Sequence, residues 1–394
     1  MKIQAVIQKL NRFKEPHKDY SQFYIRMTRV FNLSNFLDER CLKIFFCFNL
    51  FFSSLGVNAT SLNIGILTEY KITSLLVSSN YGEFFVFADG KRILELNKNT
   101  TVKFSVKGDS IQISSLNNVL GIVKKVKVIG KDAPNSFNIK PLVPEKSLRV
   151  FDENLELKVE GKFFKIINRV NLEHYVAGVV EAENGIRQNF EYYKMKAIIC
   201  RTYALNNLRR HEVEGYHLCD QVHCQVYKGK NQLNDEITKA AGATTGIVIV
   251  DSDLKLITAA FHSNCGGQTL NSEEVWSLPT TYLKSITDTF CLRKPNATWE
   301  YRMKSSDWTN YLMKHHNYKE DSLHRECVLS YFQYRKEMDF VVHDLRVPFK
   351  NLRSDFNLKS TYFSFDLQND FIVLKGRGYG HGLGLCQEGA MRMA

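Results

Sequence analysis

Residues Asn171–Leu205, NLEHYVAGVVEAENGIRQNFEYYKMKAIICRTYAL, read as two helices with an acidic residue at the elbow between them. Asn171 suits an N-cap, because its side-chain oxygen can accept a bond from a first-turn amide. Leu172, Tyr175, Val176 and Val179 recur at helical spacing, and Glu183 follows four residues later on the same apolar stripe. Gly185 predicts the end of that helix. Asn189 can cap a second one, carrying Tyr193, Ala197, Arg201, Ala204 and Leu208 at the next spacings. Glu183 is therefore expected at a C-terminal helix end and on an inward face. The negative end of the helix dipole and partial burial both disfavour an ionised carboxylate. A carboxyl that keeps its proton near neutral pH is what a general acid needs. A plainer reading fits the same residues: Glu183 pairs with a basic neighbour such as Arg201, since structural ion pairs also perturb carboxylates.

Around this stretch the pattern is α+β. Between residues 60 and 170, SLNIGILTEY, SLLVSSN, EFFVFADGKRILEL, TVKFSVKGDSIQIS and KKVKVIG carry alternation, β-branched residues and turn signals such as Asp89-Gly90. LRVFDENLELKVEGKFFKIINRV at 148–170 adds two strands that feed into the helical pair. A soft boundary is expected near 131–137, which gives a β-rich region at 60–136 and a second domain at 137–394. Downstream, residues 233–244 and the segment around SSDWTNYLMKHH read as helices. GIVIV, KLITAAFHS, DFVVHDL, YFSFDL and DFIVLKG read as strands.

The chain has 394 residues, 44% of them hydrophobic and 12% aromatic, which excludes a disordered protein. Its net charge of +12 suits an anionic partner without choosing one. Residues 42–56, LKIFFCFNLFFSSLG, form a short apolar run after Arg40 and Lys43, followed by Val57-Asn58-Ala59, spaced as at a signal-peptidase site. Residues 1–59 are therefore expected to be a leader with a signal peptide, and the protein to be exported to the periplasm or cell envelope. A retained membrane anchor is the alternative, and a start at Met27 or later would give the leader an ordinary length. Removing the nine basic and four acidic residues of 1–59 takes the net charge from +12 to +7. Seven cysteines follow the leader, an odd number, so at least one thiol is expected to be free, metal-bound or paired between chains.

Four groups of residues could carry chemistry. The first is Glu183 with Arg201, which could fix a sugar hydroxyl or a carboxylate. The second is His211, His217, Cys219, His223 and Cys224; imidazoles and thiols this close suit tetrahedral zinc, though a disulfide or reduced thiols fit as well. The third is FHSNCGGQT at 261–269, with His262, Ser263 and Cys265 at a strand end before a Gly-Gly turn. A Cys-His nucleophile lacks an orienting Asn or Asp there. The fourth is GRGYGHGLGLCQEGA at 376–390, whose glycines let the backbone approach a ligand and whose Tyr379 and His381 suit a sugar. It lacks the ending of a phosphate loop. A two-carboxylate glycosidase needs a second acid, and nothing in the sequence ties Asp220 or Glu273 to Glu183.

These blocks resemble the SpoIID/LytB family of peptidoglycan-acting proteins. The family's first block runs LEEYVxGVVxxEMP…EALKAQAVAARTYAL, and Leu172–Leu205 is similar to it without a gap. Glu183 takes the catalytic position, and Arg201, Thr202 and Tyr203 match the RTY. RHEVEGYHLCDQVHCQVYKG resembles the next block, which holds zinc in some members, with His211, Cys219, His223 and Cys224 on the pattern and His217 where Asp is usual. FHSNCGGQT, NSEEVW and GYGHGLGLCQEGA match later blocks in order. The resemblance covers roughly 137–394. Asn184-Gly185 replaces the usual Met-Pro, which implies a looser elbow. The sequence ends at Ala394, where relatives continue through another helix.

The resemblance implies a SpoIID-like catalytic domain with a central helical pair flanked by β-sheet. It also implies a lytic transglycosylase that cleaves the MurNAc–GlcNAc β-1,4 bond of denuded glycan strands and leaves a 1,6-anhydro-MurNAc end. Glu183 would act as general acid and then base, so no second carboxylate is needed. The site residues that carry over are Arg201, Tyr203, His262, Ser263, Gly266, Gly267, Gln268, Tyr379, His381 and Gln387 toward the saccharide. No cofactor is required for the chemistry, and a structural Zn2+ on His211, Cys219, His223 and Cys224 is the metal implied. The implied partners are peptidoglycan strands and an amidase that strips stem peptides, not nucleic acid. Two other functions remain open: a non-catalytic, wall-binding enhancer of an N-acetylmuramoyl-L-alanine amidase, and a zinc hydrolase using the 211–224 cluster.

Overall fold

A computed structural model of the chain describes residues 60–115, 118–276, 279–319 and 325–394. The expected leader and its cleavage site fall on 1–59, outside the described residues. The alternating segments form strands as expected. They are β1 (Ser61–Gly65), β2 (Ser74–Tyr81), β3 (Phe84–Ala88), β4 (Lys91–Leu96), β5 (Thr101–Lys107), β6 (Ser110–Ser115), β7 (Asn118–Val123) and β8 (Lys125–Gly130). β9 (Ser136–Val143), β10 (Arg149–Asp152), β11 (Asn154–Glu160) and β12 (Phe163–Asn171) follow. The β3–β4 hairpin turns on Asp89 and Gly90, both at positive φ, which a two-residue turn of this hand requires.

The strands build two sheets. One has the order β13-β1-β12-β11-β8-β3-β4, where β13 is Leu218–Cys219, and the other β10-β9-β2-β5-β6-β7. Their inward residues share one core: Val86 and Val128 of the first sheet are buried with Val77, Phe104 and Ile139 of the second. Phe84 meets Phe137 edge-on across that core, at 6.0 Å between ring centroids. Burial of this kind stabilises by about 25 cal/mol for each Å² of apolar surface removed from water.

The boundary expected near 131–137 is not a structural one. β1, β3, β4 and β8 share a sheet with β11 and β12, and β9 and β10 complete the sheet of β2 and β5–β7. Residues 60–394 form one unit. The sequence misleads here because the polar loop at 131–135 is only a connection between two woven sheets.

The helical pair follows β12 directly. α1 (Leu172–Asn184) and α2 (Phe190–Asn206) start as the caps predict: Asn171 accepts from Glu173 N and Asn189 from Glu191 N. α3 (Asp235–Ala243) packs against both. GIVIV and KLITAAFHS, expected as strands, contribute only a bridge between Val250 and Leu256 and the two-residue β14 (Phe261–His262). Their apolar residues dock on α2 and the loops instead; Arg201, for example, donates to Ile247 O and Thr202 accepts from Ile249 N.

Beyond α4 (Ser272–Trp276) a second, smaller core forms. β15 (Thr298–Lys304), β18 (Phe363–Gln368) and β19 (Phe371–Arg377) make one sheet, and β16 (Asp339–Val342) pairs with β17 (Leu345–Pro348). α5 (Ser305–His316), α6 (Arg325–Leu329) and α7 (Phe349–Asp355) cover them. Trp308 is its centre, fully buried against Phe340 and Phe365, with its indole N–H on Val328 O. β20 (Leu385–Cys386) and α8 (Gln387–Met393) close the described chain. The described residues are thus α+β, with several sheets and eight helices.

Candidate active site

Glu183 sits in the last turn of α1, its side chain 11% exposed. Gly185 ends the helix at φ +69, a conformation that glycine adopts without cost. The carboxylate accepts from Val226 N at 3.0 Å and from Lys196 Nζ at 3.5 Å. Lys196 has no exposed side-chain surface, and its ammonium lies over the Phe261 ring, 3.0 Å from the centroid. Burial pushes this ammonium below its ordinary range, with Cys200 and Glu183 pulling the other way. The sequence reading missed Lys196. Its signal is a lysine on the buried stripe of α2, four residues from both Tyr192 and Cys200, where the family block carries Gln.

The elbow is not loose. Asn184 is buried; Tyr192 OH donates to its side chain, which in turn donates to Val180 O at 3.1 Å. Tyr193 OH donates to Gly185 O at 3.3 Å and accepts from Gln188 N at 3.0 Å. Two tyrosines thus replace the rigidity that Met-Pro would supply. α1 is also fixed along its length. A Cβ at Gly178 would overlap Gly229 O and come within 2.7 Å of the Tyr227 ring, so only glycine lets the helix sit this close to the 225–230 segment that carries Val226.

Arg201 is not part of the site. It is fully buried, donates from Nε to Glu173 Oε1 at 2.9 Å, and pairs through a second nitrogen with Glu173 Oε2. Its remaining donors reach Ile247 O and Ala241 O, each at 3.1 Å. It pairs with Glu173, not Glu183, because residue 201 lies more than a turn beyond the face that meets the elbow. Asp220 is likewise occupied, accepting from Leu67 N at 2.6 Å and Thr68 Oγ1 at 2.7 Å. Glu273 bonds Ser272 and Lys284.

His211, Cys219, His223 and Cys224 come together, with their ligand-capable atoms all within 4.8 Å of one another. Cys224 Sγ is 3.4 Å from His211 Nε2, and Cys219 Sγ is 3.9 Å from His223 Nδ1. Two imidazoles and two thiols in this arrangement fit a tetrahedral Zn2+. A hydrogen bond from Cys224 pushes the Cys219 thiol down to about 4, the ionisation a metal ligand needs, and raises Cys224. His217 stands apart and accepts from Asn63 N. Tyr203 joins cluster to site: its OH accepts from Arg210 and reaches His223 O. Val226, the donor to Glu183, lies two residues past Cys224.

On the other side of Lys196, Phe261 and His262 pair in parallel with Leu385 and Cys386. His381 Nε2 donates to Phe261 O at 3.1 Å, which fixes its tautomer. His262 Nδ1 donates to Leu383 O at 3.0 Å, while Nε2 is buried with no hydrogen-bond partner among the described residues. Burial holds the His262 imidazole down at about 3, so that nitrogen is a neutral acceptor. Gly380, at φ +115, lets the 376–384 loop lie on His262; a Cβ there would come within 2.8 Å of the His262 Cβ.

The other sequence-derived residues sit further along the two loops. Ser263 accepts from Asn296 Nδ2, Gln268 donates to Ser285 Oγ, and Tyr379, half exposed, pairs its backbone with Asn264. Gly266 and Gly267 take positive φ against Arg377 and Leu292, and Gln387 opens α8. A cavity of about 410 Å³, lined by Glu274, Glu337, Phe349, Arg353 and His381 among others, adjoins this wall. Glu183 does not line it.

Fold and site define an α+β protein with one buried carboxyl–ammonium pair between a Cys2His2 cluster and a histidine-bearing, glycine-rich loop. Residues 160–250 match the family model described as Stage II sporulation protein, SpoIID. An uncharacterized protein of Brachyspira hyodysenteriae is 25% identical over 58% of this chain and 62% of its own length. Stage II sporulation protein D of Bacillus amyloliquefaciens is 26% identical over 58% of this chain and 70% of its own. The amidase enhancer of Bacillus subtilis is 25% identical over 55% of this chain and 37% of its own. Residues 160–250 thus carry a SpoIID domain, which places this part of the chain with the Stage II sporulation protein D relatives.

Proposed function

We propose that this protein is an exported cell-wall enzyme, a lytic transglycosylase that cleaves the MurNAc–GlcNAc β-1,4 bond of denuded peptidoglycan strands. The observation that carries the reading is Glu183, a carboxyl held at a helix end by a buried ammonium and a backbone N–H. In the form that starts the reaction Glu183 carries a proton, and these two contacts hold its carboxyl in place. Glu183 then gives that proton to the leaving O4 as the C1–O4 bond breaks. The C6 hydroxyl of the same sugar attacks C1 and returns its proton to Glu183, which closes the 1,6-anhydro ring and regenerates the acid. One carboxyl suffices because no water is activated. Exposed Tyr379 offers a ring for stacking on a sugar. Zn2+ on His211, Cys219, His223 and Cys224 would supply a structural cross-link that fixes Val226 against Glu183. The chain's positive charge suits an anionic wall.

The test is mass spectrometry of products from denuded glycan strands. The wild type releases 1,6-anhydro ends, and Glu183→Gln releases none while keeping its circular dichroism spectrum. Anhydro products from Glu183→Gln at the normal rate sink the reading. The similarity to an amidase enhancer supports a second one, in which the chain binds wall glycan and stimulates an amidase. That reading predicts stimulation that survives Glu183→Gln.

A further inference from the structure

Cys265, Asp288, Cys291 and Cys386 form a second cluster, remote in sequence from the first and fully enclosed. The four ligand-capable atoms all lie within 4.8 Å of one another. Cys265 Sγ is 3.4 Å from Cys291 Sγ and 3.3 Å from Asp288 Oδ2. A tetrahedral zinc with Zn–S of about 2.3 Å and Zn–O of about 2.1 Å sets its ligands roughly 3.5–3.8 Å apart. A disulfide needs about 2.05 Å between its sulfurs. The spacing is therefore that of ligands around an ion, not of a bonded pair.

The surroundings are arranged as for a metal. Cys386 Sγ accepts from Cys265 N at 3.3 Å and from Gly389 N at 3.4 Å, the backbone bonds that commonly support a ligating sulfur. Asp288 Oδ1 is taken by Phe290 N at 2.9 Å, which leaves Oδ2 facing the thiols. A Cβ at Gly389 would overlap Asp288 Oδ2, so α8 can approach the carboxylate only with glycine there. Three soft sulfurs and one carboxylate select zinc over calcium or magnesium.

We infer that Cys265, Asp288, Cys291 and Cys386 bind a structural Zn2+ that ties the 261–269 loop, the 288–291 turn and the start of α8 into one wall. The ion stands whether or not the chain cleaves glycan, because its ligands bind metal and not substrate. It would hold His262 and His381 by their neighbours: His262 lies beside Cys386 across the β14–β20 pair, and Leu383, which bonds both imidazoles, lies three residues before Cys386.

The test uses the full chain, purified with zinc and without chelator, and counts metal by plasma mass spectrometry. Two equivalents per chain are expected. Cys219→Ser/Cys224→Ser should retain one, and adding Cys291→Ser should leave none. Cobalt titrated into the metal-free Cys219→Ser/Cys224→Ser protein should give a thiolate charge-transfer band at one equivalent, a readout independent of activity. A folded Cys291→Ser protein with the full metal content of the wild type overturns the inference. So does a Cys265–Cys291 or Cys265–Cys386 disulfide in peptides from the protein as isolated. If the serine variants do not fold, the wild-type count decides: two equivalents support the site and none overturns it.

Discussion

Replacing Arg201 with Met tests whether this arginine holds the fold or touches substrate. The side chain is fully buried and joins α1, through Glu173, to Ala241 near the end of α3 and to Ile247 beyond it. Methionine keeps much of the volume and removes every donor. Breaking one side of a buried ion pair costs about 3–5 kcal/mol. Glu173 is 22% exposed, so water can solvate it once it is alone, and the lower end, about 3 kcal/mol, applies. For a unit of this size, with an unfolding entropy of about 2.1 cal/mol/K per residue, that corresponds to a fall in Tm of roughly 4 °C. Calorimetry and urea unfolding read the loss directly. Glu173→Gln closes a double-mutant cycle, in which coupling of about 1 kcal/mol or more is expected for groups in contact. At a temperature where the variant is folded, its kcat/KM on glycan should stay within about twofold of wild type. An unchanged Tm with a raised KM would refute the reasoning and return Arg201 to the substrate.

Gly178→Ala should destabilise by up to about 2 kcal/mol, because a backbone clash worth about 1–3 kcal/mol opposes the roughly 1 kcal/mol by which alanine favours a helix; a rise in Tm would contradict the close contact with Gly229. Deleting residues 60–136 should give an insoluble or unfolded chain by circular dichroism, since both sheets lose strands; a folded 137–394 fragment would restore the two-domain reading. Lys196→Met bears on alkaline stability. Burial lowers the native ammonium below its ordinary 10.5, so the unfolded chain binds this proton more tightly and the fold gains stability as pH climbs toward 10.5. Urea unfolding across that range should show a flatter rise in Lys196→Met, and an identical slope would place the lysine in solvent.

What was legible in the sequence was local. The caps at Asn171 and Asn189, the helical stripes, the Asp89-Gly90 hairpin and the gathering of His211, Cys219, His223 and Cys224 all follow from spacing over a turn or a short loop. What was not legible depended on residues distant in sequence. Arg201 and Glu183 both lie on inward faces, and periodicity cannot say that Glu173 lies nearer to Arg201. The ring that covers Lys196 belongs to Phe261, 65 residues further on, which helical spacing does not reach. Cys265, Cys291 and Cys386 are separated by 26 and 95 residues, which no ligand-spacing rule spans. The strand pattern at 246–263 failed because apolar β-branched runs bury equally well as extended loops against a helix.

The pairing of β1 constrains the order in which this protein can fold. β1 is the first strand of the described fold, yet its partners are β12, which ends at Asn171, and β13, which starts at Leu218. Among the described residues no nearer strand pairs with it. A chain emerging from a ribosome or a translocation pore must therefore carry residues 61–65 unpaired until more than a hundred further residues have appeared. Closing such a long loop precedes any reward from the pairing, so refolding should be slow. Until then β1 is an open edge, the kind of segment that binds a chaperone or another copy of itself. The strand that finally seats the Glu183 helix is thus also one that waits long for its place.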